Sequence, residues 1–423
     1  MNVIISGIAI LILFASLCLI SLAIYRQFLL IIFTNQLHEN NKEILRLRVS
    51  HLSDPVNKLK EKANETAWSG YRKFVLKGKV LEAEGICSFY FAPHDRKPLP
   101  PFIPGQYLTF RINIPGITKN VVRCYSLSDS PNHPDYYRVT IKRIDPPADD
   151  PKGKPGLISN HFHKVLQAED IVDVKAPTGH FYLNTDHARP VVLIGGGIGV
   201  TPMISMINYL VNSGTTREVW FFYGVRNSTE HIMIDYINEI AKVNPNIHLH
   251  VCYSHRLEID AQNKYHHHEE RISVELFKKV LPANNYEFYI CGPPPMMEAI
   301  TRDLKEWDVP EDKINFEAFG PSTVRRIVPE DVTKMAQTKG IAVKFTRSGL
   351  SLKWDGVSSS LLDFAEKADI LMDSGCRAGN CGSCSIAIRS GEVEYLSPPG
   401  VNVDKGMCLT CISIPKSDLI LDA

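Results

Sequence analysis

No charged residue interrupts the run from Val3 to Tyr25, which is largely Ile, Leu, Ala, Val and Phe. A bilayer core about 30 Å thick needs about 20 apolar residues, so this run predicts one transmembrane helix within an anchor over residues 1–33. A cleaved signal peptide is the competing reading, but no basic segment precedes the run and it exceeds the usual apolar stretch of about 7–15 residues. Arg26, Lys42, Arg46, Arg48, Lys58, Lys60 and Lys62 follow it. The positive-inside rule then predicts a single-pass protein whose body lies in the cytoplasm. Residues 34–70 are polar, with Leu37, Ile44, Leu45 and Leu52 as scattered apolar points, and predict a stalk. Over 71–184 the pattern changes to short strands between Gly, Pro and Asp/Asn turns: Phe74 to Leu81, Ser88 to Ala92, Tyr107 to Ile114 and Tyr136 to Ile144. Such spacing predicts a small antiparallel β-barrel.

From 185 to 320 strand runs alternate with helical runs. The strands are Val191 to Ile194, Val219 to Tyr223, Ile247 to Tyr253, Tyr286 to Cys291 and Ile314 to Phe319. Between them, segments around 230–243, 272–281 and 295–307 have helical periodicity. So do Met203, Ile204, Met206, Ile207, Leu210 and Val211, in a helix with Thr201 as its cap and Pro202 at its first position. The alternation predicts an α/β unit, a doubly wound parallel sheet with helices on both faces. A linker over 321–339 leads to a last segment, 340–423.

At about 150 residues per domain, 423 residues suggest roughly three domains, in agreement with this division. Hydrophobic residues at 44% and charged residues at 22% exclude a wholly disordered chain. A net charge of +1 gives no reason to expect a nucleic-acid partner. The ten cysteines are unevenly placed: Cys376, Cys381, Cys384, Cys408 and Cys411 crowd the carboxyl end.

Each segment carries candidate chemistry. In the barrel, Arg123-Cys124-Tyr125-Ser126 offers a guanidinium, a ring face and a hydroxyl, while Gly156-Leu157-Ile158-Ser159-Asn160 opens an apparent helix. A guanidinium and free N–H groups at a helix start suit a diphosphate. In the α/β unit, the first strand runs into Gly195-Gly-Gly-Ile-Gly-Val-Thr-Pro202, and Cys291-Gly292-Pro293 ends a later strand where ligands bind in such sheets. The common Gly-x-Gly-x-x-Gly fingerprint fails, because its sixth position is Val200. Arg226 could pair with a 2′-phosphate. The run His266-His267-His268 reads as a solvated loop, since three adjacent imidazoles do not readily face one ion. Finally, Cys376-x4-Cys381-x2-Cys384 with a distant fourth cysteine is the plant-type spacing for a 2Fe–2S cluster. Zinc is the alternative, and spacing leaves Cys408 and Cys411 both open as the fourth ligand.

Taken together, these motifs resemble the ferredoxin–NADP reductase superfamily. Arg123-Cys-Tyr-Ser-Leu-Ser-Asp-Ser-Pro131, Asp135-Tyr-Tyr-Arg-Val-Thr-Ile-Lys142 and Ala176-Pro-Thr-Gly-His-Phe181 are similar to the flavohaemoglobin reductase module. The resemblance implies that Arg123, Tyr125, Ser126, Thr140, Lys142, Gly156 and Ser159 bind FAD. It implies that Gly195, Gly197, Gly199, Thr201, Pro202, Arg226, Cys291, Gly292 and Pro293 bind NAD(P)H. Ser126, Cys291 and Glu317 would be the catalytic residues, with Phe319 over the flavin. Thr410-Cys411 and Pro415-Lys-Ser-Asp-Leu419 resemble the ferredoxin ending. That resemblance implies a β-grasp domain with Cys376, Cys381, Cys384 and Cys411 as iron ligands.

The order of parts is similar to reductases of multicomponent oxygenases and to hybrid-cluster-protein reductases. It implies a membrane-anchored NAD(P)H oxidoreductase that passes electrons through FAD to the cluster and then to a redox protein. A membrane-associated non-haem iron oxygenase, hydroxylase or desaturase is the expected acceptor. Two other readings are a respiratory or quinone-linked reductase subunit and a zinc-stabilised scaffold without redox function.

Overall fold

Leu108, Phe110, Phe89, Phe91, Val139, Ile141, Val172 and Val174 recur at alternate positions along their strands, and all point into one apolar core. The strands are β1 Tyr71–Ala83, β2 Ile86–Pro93, β3 Tyr107–Ile112, β4 Val121–Ser126, β5 Tyr137–Lys142 and β6 Ile171–Thr178. They form one antiparallel sheet in the order β4-β3-β6-β1-β2-β5. A bridge between Leu127 and Val139 joins the two ends of that order, so the sheet closes as a barrel. Phe162 plugs it edge-on against Phe89, Phe110 and Tyr125.

This computed structural model describes residues 68–423, apart from 117–119, 132, 147–149, 151, 154, 186–188, 264, 318, 320–339, 380, 397–398, 400 and 402. The span expected at Val3 to Tyr25, residues 34–67 of the expected stalk and the 321–339 linker lie outside the described residues, while Trp68, expected in the stalk, packs on the barrel core and donates to the Val174 carbonyl at 3.1 Å. Among the described residues no helix is long and apolar enough to cross a membrane.

The α/β unit holds β7 Val191–Gly196, β8 Val219–Val225, β9 Ile247–Tyr253, β10 Glu287–Cys291 and β11 Ile314–Glu317. All neighbours are parallel, in the order β11-β10-β7-β8-β9. Val191, Val192, Leu193 and Ile194 are wholly buried because helices cover both faces. Leu193 and Phe221 pack with the helices Val200–Asn212 and Ile234–Val243 on one side. Val192, Ile194 and Phe222 pack with Val274–Val280 and Pro294–Glu306 on the other. The strand order reverses between β7 and β10, which opens a crevice beyond their carboxyl ends.

Two local readings change. The first helix begins at Val200, with Gly199 rather than Thr201 as its cap. Thr201 lies inside the first turn, and its hydroxyl donates to the Ile198 carbonyl at 3.0 Å. The histidine run is also not simply solvated. The His267 and His268 N–H groups donate to the Val251 carbonyl, His268 bridges to Cys252, and the His266 ring stacks on Tyr253 at 4.8 Å. The free edge of β9 accepts this segment because its backbone groups need partners.

The third domain contains β12 Ala342–Phe345, β13 Leu350–Lys353, β14 Ser385–Ser390, β15 Val393–Tyr395, β16 Met407–Leu409, β17 Ser413–Pro415 and β18 Leu419–Leu421. A mixed sheet runs β13-β12-β18-β14-β16, with β12 and β18 parallel and β15–β17 as a separate pair. The helix Leu361–Lys367, capped by the Ser360 hydroxyl, presses Leu361 and Phe364 onto Val343, Phe345 and Leu419.

Barrel and α/β unit meet through buried polar groups. Asp129 accepts from Asn208 Nδ2 at 3.0 Å and lies 3.4 Å from the Arg138 guanidinium, whose side chain has no solvent exposure. Asn212 donates to Ser130 Oγ at 2.7 Å, and Lys142 pairs with Glu230 at 3.1 Å. Replacing Asp129 by Ala leaves the Arg138 charge buried without its carboxylate, which costs about 3–5 kcal/mol. Urea unfolding followed by tryptophan fluorescence should show that loss, with a smaller one for Asp129→Asn. A D129A midpoint equal to wild type would mean that the pair does not carry the interface.

Candidate functional site

Three strand ends converge at the crevice: Ser126 closes β4, Cys291 closes β10 and Glu317 closes β11. Cys291 and Glu317 are register partners across the parallel pair. The Ser126 hydroxyl donates to Glu317 Oε2 at 3.3 Å, joining the barrel to the α/β unit. Burial pushes the Glu317 carboxyl up to about 8, opposed by the Ser126 bond. Glu317 therefore holds a proton near neutral pH. The Cys291 thiol is also pushed up, first by burial and then by Glu317, so it remains a thiol. Burial raises the hydroxyl of Tyr107, at the start of β3, and Cys124, Cys376, Cys381 and Glu317 raise it further.

Arg123 is half-buried on β4, and its guanidinium donates to its neighbour's carbonyl, Val122 O, at 2.7 Å. Burial lowers its affinity for its proton, and the nearby Arg377 lowers it further. Arg377 belongs to the cysteine loop and is paired with Glu366 at 2.8 Å, so Arg123 is the guanidinium here that suits the diphosphate of FAD. Tyr125 packs edge-on against Phe110 and Phe162, at 5.9 and 5.3 Å. Gly156 precedes the single helical turn Leu157–Asn160. The Ser159 hydroxyl accepts from Ile144 N–H and donates to the Gly156 carbonyl, both at 3.2 Å, so it fixes this turn. Thr140 faces inward and shares hydrogen bonds of 2.8 Å with Ser88 and Ser128. Lys142 is engaged with Glu230. The structure thus groups Ser126 with the crevice, Arg123 with Arg377, and Gly156 with Ser159, while Thr140 and Lys142 have partners of their own.

On the α/β side the glycines make the crevice narrow. A Cβ on Gly199 would collide with the Cys291 carbonyl, so only glycine lets the first helix start this close to β10. Gly195 and Gly197 flank the same turn, and Gly292 and Pro293 approach it from β10. This cradle of glycine backbone before a helix fits a dinucleotide phosphate. Thr201 and Pro202 are buried in the helix beneath it. Arg226 lies just past β8 on the ligand edge, exposed, with its carbonyl held by His255 N–H at 2.8 Å. Phe319 is half-buried and packs against the core on the face of the sheet that carries Leu193 and Phe221.

The cysteines fall into two pairs. Cys376 N–H donates to Cys381 Sγ at 3.2 Å, and Ala378 N–H to Cys376 Sγ at 3.4 Å. Cys384 and Cys411 are within side-chain hydrogen-bonding reach of each other and share a small apolar cluster with Ile412. Cys408 instead lies in the main core of the domain with Val343 and Phe364. Among the described residues no three His, Cys, Asp or Glu groups converge on a single ion. Two sulfur pairs with backbone donors suit a two-iron cluster held by Cys376, Cys381, Cys384 and Cys411. A Cβ on Gly375 would stand 2.7 Å from Cys381 Sγ, so the loop closes around that sulfur only with glycine there.

Sequence reasoning missed where this loop rests. The strongest influence on Cys381 is Cys124, which belongs to β4 and which the motif resemblance treats as a variable position. Only the alternation of β4, which puts Cys124 on the same face as Ser126, was available as a signal.

Three family models match the chain in turn: an oxidoreductase FAD-binding domain at residues 74–182, an oxidoreductase NAD-binding domain at 193–302 and a 2Fe-2S iron-sulfur cluster binding domain at 344–416. A flavohemoprotein of Halalkalibacterium halodurans is 39% identical over 267 residues, which are 63% of this chain. The match spans 64% of that relative's length. Among solved structures, the FAD/NAD binding domain of a nitric oxide dioxygenase from Vibrio cholerae is 29% identical, with a TM-score of 0.52, over 59% of this chain and 99% of that one. Phthalate dioxygenase reductase is 26% identical, with a TM-score of 0.53, over 86% of this chain and 100% of that one. The chain therefore carries an oxidoreductase FAD-binding domain, an oxidoreductase NAD-binding domain and a 2Fe–2S cluster binding domain, in that order, and it spans less than two thirds of the curated relative it matches.

Glu317 makes stability depend on pH in a defined direction. Its folded value, about 8, lies above its ordinary 4.5, so between these limits the unfolded chain ionises while the folded one does not. Stability should fall as pH rises through that window, by about 1.4 kcal/mol per unit for one proton, and level off above it. Denaturation at several pH values should show this slope flattened in Glu317→Gln, and an equal slope in both proteins would contradict the burial of this acid.

Proposed function

We propose that this oxidoreductase takes electrons from NADH or NADPH at the crevice of Ser126, Cys291 and Glu317 and delivers them, through its own 2Fe–2S cluster, to a separate redox protein. FAD, when bound, supplies the conversion of a two-electron hydride donor into single-electron steps. The observation that carries the reading is the bond from Ser126 of the barrel to Glu317 of the α/β unit, which joins the FAD-binding and NAD-binding domains at one crevice, with a 2Fe–2S cluster binding domain following in the same chain.

Each residue has a task in this reading. Gly195, Gly197, Gly199 and Gly292 let the nucleotide approach β7 and β10. Arg226, at the ligand edge, contacts the adenosine side. Ser126 and Glu317 place a donor hydrogen bond and a proton beside the reacting ring. Cys291 fills the crevice floor without adding charge. Arg123 and the turn at Gly156 hold the diphosphate of FAD, and Cys376, Cys381, Cys384 and Cys411 hold the irons.

The acceptor in this reading is a membrane-associated non-haem iron oxygenase, hydroxylase or desaturase. The likeness to phthalate dioxygenase reductase over that protein's whole length supports an oxygenase component. The uncharged run from Val3 to Tyr25, with basic residues after it, supports a single-pass anchor that keeps the body in the cytoplasm beside such an acceptor.

Purified full-length protein should show flavin and iron–sulfur absorption, and anaerobic NADH and NADPH should bleach it at different rates. Cys411→Ser should abolish the cluster's electron paramagnetic resonance signal and cytochrome c reduction, while ferricyanide reduction by the flavin persists. Cys408→Ser should keep all three. The reverse result would exchange the two cysteines, and a colourless zinc protein would end the redox reading. Retention in alkali-washed membranes, lost on removal of residues 1–33, tests the anchor.

A further inference from the structure

We propose that Leu257 and Ile259, on the loop that follows β9, form an apolar platform for the adenine ring of NAD(P)H, and that the buried Asp260 is the residue that positions it. The inference rests on the reading of the crevice as the nucleotide site.

β8 and β9 end together at the ligand edge of the parallel sheet, with Val225 and Tyr253 as their last register partners. The two chains stay joined beyond that point. Ser254 N–H donates to the Val225 carbonyl at 3.0 Å, and His255 N–H to the Arg226 carbonyl at 2.8 Å. Asn227 Nδ2 donates to the His255 carbonyl at 3.3 Å. The loop after β9 therefore starts beside Arg226, and Leu257 follows His255 by two residues. Two arginines lie here. Arg256 is paired with Glu269 at 2.5 Å, whereas Arg226 has no ion-pair partner among the described residues, which leaves its charge for a nucleotide phosphate.

Next to this cation the loop leaves two large apolar side chains in solvent. Leu257 is 40% exposed and Ile259 52%. Covering them with a flat purine face removes apolar surface from water. Their position is fixed by a group that rarely lies out of water. Asp260 is 1% exposed, its Oδ2 accepts from Leu257 N–H at 2.9 Å, and its own N–H donates to the Leu257 carbonyl at 3.1 Å. A buried carboxylate needs such donors, so the turn from Leu257 to Asp260 is held closed. Farther along, the chain returns to the edge of β9. The His267 and His268 N–H groups donate to the Val251 carbonyl, and His268 Nε2 lies 2.9 Å from His250 Nδ1. A platform tied to β9 in this way before binding loses little conformational freedom when the nucleotide arrives.

Steady-state ferricyanide reduction by the full-length holoprotein tests the proposal, with NADH, NADPH and reduced nicotinamide mononucleotide, which lacks the adenosine half, as donors. Wild type should use the dinucleotides at a lower KM than the mononucleotide. Leu257→Ser combined with Ile259→Ser should raise the dinucleotide KM about tenfold, more than it lowers kcat, and shrink the advantage over the mononucleotide by the same factor. Asp260→Ala should act in the same direction by opening the turn. Asp260→Asn keeps an oxygen acceptor and should return most of the affinity. Because Leu257 and Ile259 are exposed, their serine variants decide the question even where Asp260→Ala fails to fold. An unchanged advantage in the double variant, or a wild type that uses the mononucleotide as well as NADH, would overturn the platform. A wild type reduced by neither dinucleotide would instead end the reading of the crevice beneath it.

Discussion

A strand places successive side chains on opposite faces, and much of this protein depends on how β4 uses that alternation. Arg123 and Tyr125 share the face of Phe110 and Leu108, their register partners on β3. Cys124 and Ser126 share the other face with Thr109 and Tyr107. Ser126 binds Glu317 of the α/β unit, and Cys124 meets Cys381 of the third domain. Six residues of one strand thus connect three separately folded cores. The hydrogen bonds that hold β4 to β3 keep these contacts at fixed separations, which matters for electron transfer because its partners must stay close and oriented.

The seam between barrel and α/β unit has a different physical character. It is not an apolar contact alone. Asp129, Arg138 and Asn208 exchange bonds out of reach of water, where an unpaired group is costly and a paired one is directional, and the half-buried Asn212 adds a bond to Ser130. Such groups select one relative orientation of the two units, and the crevice needs one. Glu317 belongs to the same seam. Its burial is what keeps it protonated, so the closeness of the two domains is what raises this acid.

Much of the site was legible along the chain. The apolar run Val191 to Ile194, followed by glycines and a helix, pointed to a parallel sheet with a nucleotide edge, since only a strand buried on both faces carries such a run. The cysteine spacing marked a cluster loop, because three thiolates on one tight loop need those intervals. The choice between Cys408 and Cys411 was open on spacing alone. Packing separates them, placing Cys408 in the sheet core and Cys411 beside Cys384. Thr201 shows the opposite limit: its side chain suits a cap, yet the helix begins two residues earlier because Gly199 can lie against the Cys291 carbonyl.

Sequence alone determined the order of the domains, the residue types at each cofactor site and the periodicity of the elements that carry them. These follow from local rules: the two-residue repeat of strands, the geometry of helix starts and the short reach between neighbouring ligands. Tertiary structure alone decided that Ser126 pairs with Glu317, that Asp129 pairs with Arg138 and Asn208, and that Cys124 faces Cys381. Such pairs join side chains far apart along the chain, and nothing in local spacing specifies them. They form because closing the barrel and docking the other domains on it exclude water from particular atoms, which must then satisfy one another.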